Sequence, residues 1–382
     1  MALVTLEPAA TLEPGSWTGT TWKVQYSDLQ PLARYTADVQ VLTVDPTGHI
    51  HRTWTFTVEP GAPPDGVPVV WYSTSSPWQP SLPGVPNRLV ALDWTGTMVG
   101  TIYGNYVGVQ SPDGSWLSSR QGTGVMDRRG QPVSGRSLDG AVWSDVSNRY
   151  CDIGGSSPTA GTNSQAWLET GVVGGATRRV AALGSTLGQT VFSVTACSAL
   201  NDRAVLGEQV MGGFLDVRVI GLSTGRTLYR HAYPANQPQM LVGSRDGQYL
   251  AETANIFGGP STTVIRRLSD GTIVARLDDQ RLVGFSWDGS LAVVAPFWGK
   301  QGPGGVQLLD WRTGAIRWRL AGGPTTIGQP VFALAQPNGP AFVVGLGSPS
   351  GGGDSDGLLL VHPDGRAETI VTGSVYPAVP SG

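Results

Sequence analysis

Apolar residues recur at every second position through most of the chain, the spacing that sends side chains alternately to the two faces of a β-strand. Trp22, Val24 and Tyr26 share one face, then Val39 and Val41, then Trp54, Phe56 and Val58. Short clusters of Gly, Pro, Asp and Ser separate these runs and supply the turns. No segment keeps a 3.6-residue period, so the pattern predicts an all-β chain.

From Val67 onward the pattern repeats as an apolar strand, an Asp/Ser-x-x-Gly turn, a second strand, a spacer, a third strand, a Ser-x-Asp-Gly turn and a fourth strand. The clearest copies are Val217–Tyr229 with Met240–Glu252, Thr263–Leu277 with Val283–Ala295, and Val306–Leu320 with Val331–Leu346. First-turn glycines fall at Gly96, Gly130, Gly174, Gly225, Gly271, Gly314 and Gly365, in steps of 34 to 51 residues. A four-stranded propeller blade takes roughly 40–50 residues, so the spacing predicts about seven blades. The last copy, from Leu358, runs out early, while Val67–Tyr72 is an orphan strand ahead of the first full copy. Pairing the two would close a ring and hide both sheet edges.

Over about 310 residues this pattern resembles the WD40-like, TolB-like and quinoprotein-like bacterial propellers, a likeness that implies a fold and no activity. The N-terminal part carries Pro31-Leu32, Tyr35, Val39 and Val41, the Asp45–Gly48 turn, and Phe56 with Val58. It resembles the second half of bacterial Ig-like surface domains, in abridged form. The expected fold is therefore all-β: residues 1–60 a small Ig-like β-sandwich, 61–66 a linker rich in Pro and Gly, and 67–382 a β-propeller of about seven blades.

Composition narrows the function classes. Gly 54 and Pro 28 suit a turn-rich β protein, and 40% apolar with only 14% charged residues supports a large core. A net charge of −3 offers no basic footprint for nucleic acid. No run of eighteen apolar residues occurs, so no membrane-spanning helix is expected. Lysine occurs only at Lys23 and Lys300, the mark of a GC-rich genome, and there is no Asn-x-Ser/Thr sequon, which fits a bacterial source. The start lacks the features of a signal peptide. An extracellular or cell-surface location is expected, with an export signal or anchor lying upstream of this chain.

Several motifs invite chemistry. Gly221-Leu222-Ser223-Thr224-Gly225 matches a nucleophile elbow, but that elbow joins a strand to a helix, and here strand-like residues flank it on both sides. Val306–Gly314 with Trp318 resembles the tryptophan-docking repeat of quinoprotein propellers, without the quinone ligands; a structural role is expected. Ser111–Trp116 resembles a clipped Asp-box and reads as a hairpin turn. His49 and His51 share a strand face and could begin a metal site, although they follow an exposed turn. Asp354 and Asp356, in a glycine-rich loop, look like a fragment of a calcium loop, which needs 6–8 oxygen ligands. Calcium is the one cofactor left open, and none is otherwise expected. Trp287, in a turn, and Trp298, beside Gly299, are positioned to present aromatic platforms to a sugar or a protein. Cys151 and Cys197, the only cysteines, sit in consecutive copies beside their second turns and are expected to form a disulfide. The bland alternative is two buried thiols.

These features favour a non-enzymatic extracellular module whose propeller face engages a protein or a glycan. The competing classes are a funnel enzyme of lactonase, lyase or glycosidase type, and a purely structural cell-surface component. Polar side chains lining the central channel discriminate between them: several carboxylates would favour the enzyme, an apolar channel a binding role.

Overall fold

The computed structural model describes residues 2–31, 33–42, 48–73, 87–104, 109–118, 124–136, 138, 140–155, 164–186, 191–210, 213–233, 238–254, 262–296, 306–320, 329–347 and 355–377. No helix occurs among them, and most lie in antiparallel strands. Five separate four-stranded sheets follow one another, spanning 109–134, 142–186, 191–232, 240–278 and 280–319. The arrangement is that of a β-propeller.

The ends of this series meet in one seven-stranded sheet. Its four strands from Gln329 to Pro377 continue into Val69–Ser73, Asn87–Asp93 and Met98–Gly104. The junction is the pairing of Tyr376 with Ser73 and of Pro377 with Tyr72. The long last strand, Ala367–Pro377, thus borders two groups of strands. Its start is the outer strand beside Ser355–Val361, and its end serves as the innermost strand beside Val69–Ser73. The orphan strand and the incomplete last copy complete each other, as edge-strand physics predicts.

Apolar side chains weld each sheet to the next. One cluster joins Leu168 and Leu183 to Leu206 and Ile220, another Val217 and Val219 to Leu241 and Leu250, and a third Ile265 to Leu282 and Trp311. The same holds across the closure, where Val70 and Trp94 pack on Leu334, Val343 and Leu358. These residues are buried because alternate positions of strands covered on both faces have nowhere else to point.

The repeat read from the sequence is offset from the sheets by half a unit. Its first hairpin is the outer pair of one sheet, and its second hairpin is the inner pair of the next. Val217–Tyr229 belongs to the 191–232 sheet, while Met240–Glu252 opens the 240–278 sheet. This offset is why one strand remained at each end.

The strands within residues 2–57 form three small sheets. Ala2–Glu7, Arg34–Leu42 and His49–Thr57 make a three-stranded sheet, beside two two-stranded ones. Tyr35 and Ala37 are buried in it, and Tyr35 stacks on Phe56. None of these strands pairs with the propeller sheets among the described residues. The segment read as a linker is fastened down. Thr101 donates from its amide to the Gly61 carbonyl at 2.8 Å, and Glu59 pairs with Arg88 at 2.7 Å. Arg128 donates to the Pro64 and Val67 carbonyls. A side chain on Gly100 would meet Pro63 at 2.5 Å, so the glycine admits the connector against the outer strand.

Candidate functional site

The Ser-x-Asp-Gly turns shape one face of the ring. In 111–114, 244–247 and 286–289 the serine hydroxyl donates to the aspartate, at 2.8, 2.5 and 2.6 Å. The same hydroxyl accepts from the amide five residues on, that of Trp116, Tyr249 and Leu291. The glycine takes a positive φ of 66–69° that closes the turn. Each such turn joins the innermost strand of a sheet to its neighbour, so these turns rim one mouth of the central channel.

Below that rim lies a cavity of about 280 Å³. Its wall is built from the first strands of five successive sheets, including Val142, Trp143, Leu241, Phe285 and Leu334. The only ionisable side chains on the wall, among the described residues, are Arg245 and Arg281. Arg281 is 5% exposed, and burial lowers its guanidinium to about 10. Arg245 occupies the x position of its turn at the mouth. Its Nη1 reaches over the intervening sheet toward the carbonyls of Trp143 and Ser144, at 3.4 and 3.2 Å. Desolvation also lowers it to about 10, opposed by the field of Asp145.

Asp145 itself is committed to the backbone next door. It accepts from the amides of Ala199 and Leu200 and from the Ser198 hydroxyl at 2.5 Å. It locks the 142–186 sheet to the 191–232 sheet, and the disulfide does the same one step deeper. Cys151 and Cys197 are bonded, with Cα atoms 5.8 Å apart and both residues buried. The strands they join are not equivalent ones: Cys151 lies on the second strand of its sheet (149–154), Cys197 on the innermost strand of the next (191–198). Cys197 also lines the cavity.

The other sequence-picked residues fall as follows. Trp287 is half-buried, with the Arg245 guanidinium over its ring at 4.7 Å, so one face of the platform is already covered. Trp298 and Asp354 lie outside the described residues. Asp356 belongs to the strand Ser355–Val361, but its side chain is not described. No group of three His, Cys, Asp or Glu side chains that could hold a metal occurs among the described residues. His51 contacts Asp38 at 2.6 Å within its own sheet. Gly221–Gly225 is a turn between two strands of one sheet, and Ser223 donates to Asp202. Trp311 is buried and donates to the Gly289 carbonyl at 2.9 Å, a packing role against Tyr249 and Phe285. The two channel arginines escaped the sequence reading. Only one signal pointed to them: arginine placed in, or two residues past, an innermost strand whose other positions are mostly apolar.

The fold and the channel define a β-propeller protein. No family model and no curated protein matches the sequence. Similar solved structures include TolB from Acinetobacter baumannii, at 13% identity and TM-score 0.43 over 91% of this chain and 80% of that one. The Myceliophteria thermophila Cps50 (Swd1) β-propeller domain follows at 15% identity and TM-score 0.44, covering 69% and 88%. A eukaryotic initiation factor gives 11% and 0.46, covering 85% and 94%. At such identities the likeness says nothing of what this chain binds.

Proposed function

We propose that this chain is an extracellular binding or scaffold module: an abridged Ig-like unit joined to a seven-bladed propeller that engages a protein partner at the mouth of its channel. The observation that carries this reading is the cavity wall, whose side chains are mostly apolar with two arginines and, among the described residues, no carboxylate. A funnel hydrolase or lyase needs converging acid–base groups, whereas an apolar pocket with a few placed polar groups suits recognition. A protein partner is preferred to a glycan because Trp287 already has a guanidinium stacked on it. The buried disulfide supports an oxidising compartment, since cytosolic thiols are kept reduced.

The test is photo-crosslinking on intact producing cells. A photoreactive aromatic residue replaces Trp287 at the mouth or, as control, the exposed Ile273 on an outer strand. The proposal expects a discrete protein adduct from the mouth position alone. Equal labelling from both positions contradicts it. So does turnover of lactone or glycoside substrates by the purified protein that is lost on substituting the channel arginines.

A further inference from the structure

A strand at the border of a sheet offers its outward N–H and C=O groups to any chain that can lie beside it. Proteins blunt such edges with bulges, prolines and charges. The propeller does so in all five of its separate four-stranded sheets. Their outer strands, Pro132–Ser134, Thr177–Thr186, Thr227–Ala232, Ile273–Asp278 and Ala315–Arg319, each contain proline or arginine. Each also shifts register against its neighbour. The N-terminal strand His49–Thr57 has neither device beyond Arg52. It runs nine residues in unbroken register beside Arg34–Leu42, at the border of the three-stranded sheet.

Its last five residues, Thr53-Trp54-Thr55-Phe56-Thr57, contain no charge, no glycine and no proline. All but Phe56 are exposed, Trp54 with half its surface in solvent. Val58 donates its amide to the Ala33 carbonyl at 3.1 Å, in line with the register that pairs Phe56 with Tyr35 and Trp54 with Ala37. Hydrogen bonding alternates along an antiparallel ladder. The even positions therefore face the sheet, and Thr53, Thr55 and Thr57 turn their N–H and C=O groups outward. No strand pairs with that side of Thr53–Thr57 among the described residues.

The segment is complementary to itself. When it is laid antiparallel on a second copy about Thr55, Thr53 opposes Thr57 of the partner subunit. Trp54 then opposes Phe56 of the partner subunit, and Thr55 meets its own counterpart. Every backbone bond of the pair comes from the outward groups of the three threonines. Threonine opposite threonine and aromatic opposite aromatic are favourable cross-strand pairs. Phe56 is already seated against Tyr35 and Tyr26, with ring centroids 5.8 and 6.1 Å away, so the incoming indole meets an ordered aromatic surface. Arg52 falls outside the paired segment, and the two copies of it do not oppose each other. The contact is isologous, so it closes at two subunits.

We propose that the chain forms a reversible two-fold dimer by antiparallel pairing of Thr53–Thr57 with the same segment of a second copy. The two three-stranded sheets then join into one continuous sheet, and each covers the other's exposed edge. The contact is small, which keeps the association weak and reversible. Each dimer presents two channel mouths, but the pairing itself rests on no reading of the channel.

The experiment is sedimentation velocity on the full chain from low to high micromolar concentration, joined to cysteine cross-linking. The unaltered protein should pass from monomer to dimer with concentration and stop there. Thr55→Lys sets two like charges against each other across the axis and should raise the dissociation constant at least tenfold. Thr55→Pro deletes an outward amide and no backbone bond of its own sheet, and should do the same. Mild oxidation of Thr55→Cys should give a disulfide-linked dimer, because opposed hydrogen-bonded partners keep Cα atoms about 5.5 Å apart. Thr36→Cys, one strand further in, should not. A monomer at every concentration overturns the proposal, and that arm needs no variant. A dimer that survives Thr55→Lys, or that does not link through position 55, overturns it as well. Growth past the dimer into larger species would mean head-to-tail pairing with the Ala2–Glu7 edge and also refutes the two-fold contact. Absence of the dimer leaves the proposed binding at the channel mouth standing, and absence of crosslinking at Trp287 leaves the dimer standing.

Discussion

Breaking the Cys151–Cys197 bond should destabilise the propeller by an amount its loop length sets. The bond closes a loop of 46 residues between two neighbouring sheets. Chain-entropy estimates give about 3 kcal/mol for a 15-residue loop and about 4.7 for a 100-residue one, which puts this bond near ~4 kcal/mol. A propeller of about 310 residues has an unfolding entropy of roughly 0.65 kcal/mol per kelvin, so Tm should fall by about 6 °C. Calorimetric scans of the unaltered protein with and without a strong reductant isolate the cross-link, because no atom is removed from the core. A Cys151→Ala/Cys197→Ala double variant should fall further, since both sulfurs are buried and their packing is lost as well. Coincident scans within a degree, or two titratable thiols in the denatured unreduced protein, would refute the reasoning and remove the main support for an exported location.

Three further outcomes are expected. Gly114→Ala should cost about 1–3 kcal/mol in denaturant unfolding, because φ is +69° there and a Cβ would lie 2.5 Å from the Val69 carbonyl oxygen; an unchanged midpoint contradicts this. Glu252→Ala should cost about 3 kcal/mol, since Glu252 is buried and removing it strands Arg266, whose Nε it holds at 2.7 Å; the check is the urea midpoint, and a loss below about 1 kcal/mol refutes the pair's role. Burial and the neighbouring Asp216 hold the Glu208 carboxyl above its usual 4.5, so the folded protein binds that proton more tightly than the unfolded chain. Its contribution is full below pH 4.5 and is lost as pH rises through the raised value. The stability of the unaltered protein relative to Glu208→Gln should therefore fall across that window, and a rise refutes the assignment.

The fold was legible because its rules are local. Period-two alternation and the Ser-x-Asp-Gly turns marked the hairpins, and edge-strand physics paired the two leftover ends, as Tyr376 and Ser73 show. The disulfide followed from the position of each cysteine beside a turn, although it joins a second strand to an innermost one. The channel was not legible in the same way. Arg245 and Arg281 lie 36 positions apart on different sheets, and only the curvature of the ring brings them to one cavity. The aromatic reading of Trp287 found the right turn but missed its partner, because Arg245 stacks on it from the preceding sheet. The connector 61–66 was legible as a linker, while its contacts were not, because the burial of Pro63 depends on a glycine, Gly100, on an outer strand far along the chain.

The channel exists only if the ring is closed by the last strand, and a cysteine pair at the junction tests this most directly. Tyr376 and Ser73 are register partners, and antiparallel partners keep Cα atoms roughly 4.5–5.5 Å apart, within disulfide reach. Mild oxidation of Ser73→Cys/Tyr376→Cys, followed by peptide mapping, should give an intramolecular 73–376 cross-link in monomeric protein. A double variant that folds and yet stays reduced at both positions, or that forms only cross-linked dimers, would contradict the closed ring.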